Sequence, residues 1–289
     1  MKSILILLNL ITIQSLLFAQ PKWKPQNKIK KVDLELFRTT QTANFPTTES
    51  LKEGDIMYEI SHRFLPSIKD GWDSFFGFDG PARIRFALGY GINDHLMITL
   101  GRSNNTDNLD LQIKQKLLQI YNRKFPLVFS LQGGISWNTE VPANISRNRI
   151  DPANFQYYLQ LVSNTSLFNK KLGIGIVPSL LYNSFIYSVE KQYSLTIGGY
   201  FQYYINKMWS VWLEFNSTIA GYRGRIRLDE QGKSHNSIAL GFDIETGGHI
   251  FHIMVTNNAR LNPSQYLVGA DRSAADDMWR LGFGILRYF

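Results

Sequence analysis

"NLDLQIKQKL", residues 108–117, alternates in polarity with a period of two. Leu109, Leu111 and Ile113 fall on one face of an extended chain; Asp110, Gln112, Lys114 and Lys116 fall on the other. Successive side chains of a strand point to opposite faces, so this is a strand signature and not a helical one. The contrast between the faces is extreme, three branched aliphatics against two lysines, an aspartate and a glutamine.

The same alternation runs along most of the chain. "DIMYEISHRF" (55–64) sets Ile56, Tyr58 and Ile60 against Glu59, Ser61 and Arg63, and "ARIRFALGYGI" (82–92) sets Ile84, Phe86, Leu88 and Tyr90 against Arg83 and Arg85. Further segments begin near residues 95, 126, 154, 171, 193, 208, 236, 249 and 278, giving about twelve strands. Many approach the roughly ten residues that a tilted strand needs to cross a bilayer.

The connections alternate too. "IND" (92–94), "YNRK" (121–124), "FNKK" (168–171), "INKM" (205–208) and "TGG" (246–248) are short. Asn and Gly suit such tight turns because they accept positive φ. The others are long, at 65–81, 139–153, 185–192, 222–234 and 259–277, with only "SNNTD" (103–107) brief. Short turns at one end and long loops at the other are the asymmetry of an up-and-down outer-membrane barrel. Tyr90, Trp137, Tyr157, Tyr182, Tyr193, Tyr203 and Trp209 share the apolar parity, several near strand ends, where membrane interfaces favour Tyr and Trp. The competing reading is a secreted β-sandwich, which has no reason to sort its loops by length. The expected fold is all-β: a transmembrane antiparallel barrel of about twelve strands over 54–289.

Composition agrees. The chain has 289 residues, 44% of them hydrophobic, with 14 Tyr, 19 Phe, 6 Trp and no Cys. Disulfides, thiolate metal sites and cysteine nucleophiles are excluded. Mean hydropathy of −0.17 argues against many membrane-spanning helices. "MKSILILLNLITIQSLLFA" has the layout of a signal peptide, 1–19, cut after Ala19. Residues 20–53, with "KWKPQNKIKK" at 22–31, read as a basic periplasmic leader or plug. Export makes nucleic acid an implausible partner despite the net charge of +8.

"YEISHRF" (58–64), "FFGFDGPARIRFALGYGI" (75–92), "LGRSN" (100–104) and "LGFDIETGGHIFHIMVTN" (240–257) resemble a family of Gram-negative β-barrel proteins known only as a domain of unknown function. The resemblance implies an outer-membrane barrel and no established activity.

If the apolar faces meet lipid, the other parity lines a lumen. Its charged and polar members include Glu59, Arg63, Arg83, Arg85, Asp110, Gln112, Lys114, Lys116, Glu214, Asp243 and His252. One reading is a water-filled pore with a basic wall facing an acidic wall across it. The other is a narrow or partly blocked lumen filled by paired side chains, with residues 21–53 or a long loop as plug. Twelve strands lie between the eight that side chains alone can fill and the sixteen that leave a channel.

No nucleophile-elbow or HExxH motif is present, and His249 and His252 fall on opposite faces of a strand. Asp70, Asp73 and Asp79 in the first loop lack EF-hand spacing. Neither metal, cofactor nor catalytic residue is expected. The anticipated role is a porin-like or transport-related channel for small solutes. A structural or accessory barrel docking an envelope protein partner is the alternative, and an outer-membrane hydrolase the weaker one. Outer-membrane lipid and the barrel-insertion machinery are the expected partners. Phe289, an aromatic at the end of "RLGFGILRYF" (280–289), is the expected insertion signal.

Overall fold

In a computed structural model of the protein, residues 33–142 and 145–289 are described. The expected signal peptide, its expected cleavage site and the basic stretch 22–31 lie outside the described residues. Twelve strands form one closed antiparallel barrel: β1 (Ile56–Phe64), β2 (Ala82–Asn93), β3 (Leu96–Ser103), β4 (Asn108–Ile120), β5 (Leu127–Asn138), β6 (Phe155–Leu167), β7 (Leu172–Tyr182), β8 (Tyr193–Tyr204), β9 (Trp209–Gly221), β10 (Ser237–Thr246), β11 (His249–Thr256) and β12 (Arg280–Tyr288). Each strand pairs with its sequence neighbours, and β12 closes on β1 from Met57↔Tyr288 to Arg63↔Gly282. Phe289 and Ile56 extend this seam with two further backbone hydrogen bonds. No backbone edge is left for another chain to extend.

Register places the predicted faces as the alternation requires. Along β4, Asn108, Asp110, Gln112, Lys114 and Lys116 are buried, while Leu109, Leu111 and Ile113 are exposed on the outer wall. Outward Leu88, Leu100 and Ile176 are each more than half exposed. An outer wall of this kind is stable only against hydrocarbon. No helix among the described residues is long and apolar enough to cross a membrane, so the strands make the crossing.

Two local departures break the alternation. A β-bulge between Lys116 and Leu118 leaves Leu117 and Leu118 both on the outer wall. An extra residue in one strand inverts the parity that follows. Gln119 is thereby re-aimed, and its Oε1 accepts the Leu34 N–H at 2.7 Å. On β7 the outward Pro178 has no N–H to donate, and the β6–β7 pairing is interrupted between Gln160↔Ser179 and Ser163↔Ile176.

The two faces of β4 generate a direct test. Lys114 is tolerated inward, yet a lysine at its neighbour Ile113 would face lipid. Ile113→Lys should lower unfolding free energy in lipid vesicles by about 2–4 kcal/mol. Wild-type urea stability of that variant would contradict the assigned faces.

Candidate functional site

A barrel of twelve strands encloses more space than side chains alone fill. Two stretches of the chain occupy it. The first is residues 34–53, which enter at the short-turn end, reverse near 42–45 and return to the same end. Thr47 N–H donates to Thr40 O at 3.1 Å and Thr42 N–H to Phe45 O at 2.8 Å, making a re-entrant hairpin with an isolated bridge between Gln41 and Pro46. The second is residues 257–270 of the last long loop, buried from Asn257 to Ala270. The two meet where the Phe45 and Tyr266 rings pack edge to face at 5.2 Å.

The hairpin is held by charges of the lumen wall. Lys114 Nζ donates to Thr40 O at 2.6 Å and Thr47 O at 3.1 Å, clamping both arms. Lys116 Nζ lies 3.8 Å from Glu49, whose other oxygen accepts the Leu36 and Phe37 N–H groups at 2.7 and 3.1 Å. At the apex, Asn44 donates from its backbone and side chain to Glu214 at 3.2 and 2.7 Å. Its Oδ1 accepts from Arg63 Nη2 at 3.0 Å. Arg63 also reaches Ala43 O, and Tyr200 donates its hydroxyl to Pro46 O at 3.0 Å.

Apolar contacts complete the seat. Leu36, Phe37 and Phe45 pack with Val128, Val162, Val177 and Tyr200 of the wall. Glycines shape it: a Cβ at Gly173 would strike the Phe37 ring, one at Gly198 the Phe45 ring, and one at Gly91 the Lys52 carbonyl. These close approaches leave no room for a side chain.

The remaining predicted lumen residues form two further clusters. Arg85 makes a two-point ion pair with Asp110 and lies 3.6 Å from Glu59, while Gln112 donates to Asp110 at 2.8 Å. Asp243 accepts from Trp212 at 2.6 Å and Gln202 at 2.8 Å, and its Oδ1 is 2.7 Å from His252 Nδ1. Arg83 stands apart from both, partly buried near the long-loop end, where Arg227, Glu230, Asp229 and Asp271 are its charged neighbours. Phe289 lies at the short-turn rim, 68% exposed, with the Arg287 guanidinium over its ring at 5.1 Å. Arg287, outward as its parity implies, also hydrogen-bonds His249 Nδ1 at 2.9 Å.

An open pore with a basic wall facing an acidic wall is therefore not what the structure shows. Arg85 is neutralised on its own wall, and Lys114, Lys116, Arg63 and Glu214 bond the hairpin. The narrow, filled lumen is the observed arrangement, with both a leader segment and a long loop as filling.

The hairpin residues that bond the wall and the loop residues Arg260, Gln265, Tyr266 and Asp271 were not legible as site residues. A signal for the seat was present. Val128, Val162, Val177 and Tyr200 are apolar residues on the lumen parity, where water alone would not select them.

In the last loop, Asp271 accepts from Ala259 N–H at 3.1 Å and pairs with Arg280 at 2.7 Å. Burial pushes its carboxyl up, but Arg280, then Arg260, and the hydrogen bonds outweigh this and hold it below the usual range.

The family described as "Membrane bound beta barrel domain (DUF5777)" matches residues 37–289. The chain belongs to that family. The match takes in most of the hairpin as well as every strand. Comparison with curated proteins finds no match. Among solved structures, the chain is similar to the NanC porin, with 9% identity, TM-score 0.48, and 81% of this chain and 99% of that one covered. It is also similar to the COG4313 outer membrane channel from Pseudomonas putida F1, with 12% identity, TM-score 0.45 and coverage of 84% and 98%. The outer membrane protein Omp33 of Acinetobacter baumannii shares 7% identity, TM-score 0.41 and coverage of 83% and 99%.

Two outcomes are expected. Lys114→Met removes both clamps: Thr40 O keeps the Thr47 N–H, while Thr47 O loses its donor, at about 1–3 kcal/mol for a buried group. Proteolysis within 34–53 should then rise at least tenfold while the barrel stays protease-resistant, and an unchanged cleavage rate would refute the clamp. Because the Asp271 pKa is depressed, its contribution is present above the unfolded value, near 4, and is lost as pH falls through the folded one. Protection factors for amide exchange in 257–270 should fall on acidification below about pH 4, and Asp271→Asn should abolish that fall.

Proposed function

We propose that the protein is an outer-membrane barrel that serves as a channel for small solutes, held closed by its own N-terminal hairpin. The short turns then lie on the periplasmic side, and both ends of the hairpin lie at that rim. One observation carries the reading: the hairpin is seated mainly through hydrogen bonds and charges that water can replace. A permanent filler would gain little from the buried Lys116–Glu49 ion pair, since such pairs seldom add net stability over apolar packing. Each replaced hydrogen bond costs only about 0.5–1.5 kcal/mol net when both partners regain water. Insertion through the barrel-assembly machinery, with Phe289 as its recognition aromatic, belongs to the same proposal.

A second reading is a barrel that docks a protein partner of the envelope. The first long loop favours it, because Trp72 is 78% exposed and its ring lies tilted against Phe75 at 5.9 Å and edge-on to Phe76 at 5.0 Å. Phe75 and Phe76 adopt φ of +46° and +54°, a strained backbone that holds aromatic rings in solvent. Hydrolysis has no support in the site: His252 is buried and bonded to Asp243, and no serine hydroxyl among the described residues bonds its ring.

Planar bilayers separate the two readings. Full-length protein should be silent or flicker rarely, and a variant lacking residues 35–50 should conduct steadily. Heat-modifiable gel mobility establishes that the variant is folded. Silence that persists in a folded variant lacking both this hairpin and residues 259–268 of the lumen-filling loop would exclude the channel and leave the docking barrel.

A further inference from the structure

We propose that the long-loop mouth carries a binding site for a compact oxyanion, a phosphate group, in the cavity between loops 222–236 and 257–279. The cavity is about 200 Å³ and is lined by Arg225, Lys233, Arg260 and Arg272 with Glu230 and Asp271. That is smaller than the roughly 300–1,000 Å³ of pockets that enclose a whole drug-sized ligand, and it suits one anionic group.

Both acids are already engaged. Glu230 Oε2 accepts from Arg260 at 2.9 Å and from the Ile226 N–H at 2.8 Å. Asp271 is paired with Arg280, which is not among the lining residues. The cations therefore outnumber the acids, and one of the two acids is neutralised from outside the cavity.

Arg260 frames the inner wall of the cavity. The residue is 3% exposed. Its Nη1 donates to Gly269 O at 2.9 Å and its Nη2 to Glu230, but its Nε has no hydrogen-bond partner among the described residues. Guanidinium groups match the oxygens of a phosphate with parallel N–H donors.

The frame is rigid. Arg225 packs over the Phe185 ring at 5.4 Å and donates to Leu228 O at 3.1 Å. His235 and Ala270 exchange two backbone hydrogen bonds at 2.9 and 2.8 Å, clipping the loops together. Residues 257–270 also fill the lumen and touch the hairpin through Tyr266.

Calorimetric titration of the full-length protein in detergent with inorganic phosphate should give saturable binding. Lys233→Gln, at an exposed position, and the pair Arg225→Gln/Arg272→Gln should each weaken it, the pair at least tenfold, with wild-type heat-modifiable mobility. Two further arms identify the source. Tighter binding of glucose 6-phosphate points to a soluble phosphorylated solute. Competition by vesicles containing a phosphorylated glycolipid, but not its dephosphorylated form, points to the outer leaflet. Absence of saturable phosphate binding by the wild type overturns the site, and so does binding that all of these variants leave unchanged.

Discussion

Backbone groups in hydrocarbon have no water to pair with, so a sheet placed there must close on itself. The β1–β12 seam meets that demand, and much of what is unusual in the molecule follows from it. Closure with twelve strands fixes a lumen wider than the eight-stranded case that inward side chains fill. The interior must then hold water or protein. This chain supplies protein from both ends of the barrel, a hairpin from the short-turn end and a loop from the other.

The filling explains the chemistry of the wall. Inward lysines in an empty pore would tune permeation. Here Lys114 replaces the hydrogen bonds that two hairpin carbonyls lose on leaving water, and Glu49 does the same for two N–H groups. An irregular segment inside a barrel carries unpaired backbone donors and acceptors, and each needs a partner. Charged side chains make strong partners for them. The lumen charges are thus largely the complement of a non-repeating backbone.

This also sets what could be read from sequence. Alternation is local and survives in a linear pattern, so the strands, their faces, the loop asymmetry and the closing strand were all legible. Which inward charge meets which group was not. Lys114 and Glu49 are 65 residues apart in the chain and share the hairpin only after closure. The bulge at Leu117 was equally hidden, because one extra residue in an apolar pair, Leu117-Leu118, looks like a strand end. Residues 34–53 show neither alternation nor a helical period, since a segment that takes its order from surrounding walls needs no period of its own. The apolar inward residues Val128, Val162, Val177 and Tyr200 were the readable trace of what they receive.

The hairpin's attachment determines how it would leave. Gly54 turns the chain into β1 with φ of +86°, and its N–H bonds Gly91 O at 2.9 Å, so this end is stitched to the rim. Among the described residues, the apex and the entering arm are held by fourteen hydrogen bonds to the barrel, worth on the order of 7–21 kcal/mol net if they were additive. Even the lower figure leaves the open form at well under one molecule in a thousand. A ligand of equal affinity for both forms would not change that ratio, however tightly it bound. Opening therefore requires work applied unequally: a pull on the entering arm, or a molecule that binds only when the apex is withdrawn. The entering arm is the place to apply it, because Leu34 and Arg38 lie at the short-turn rim, and their bonds to Gln119 Oε1 and to the carbonyls of the 205–208 turn would be the first to yield.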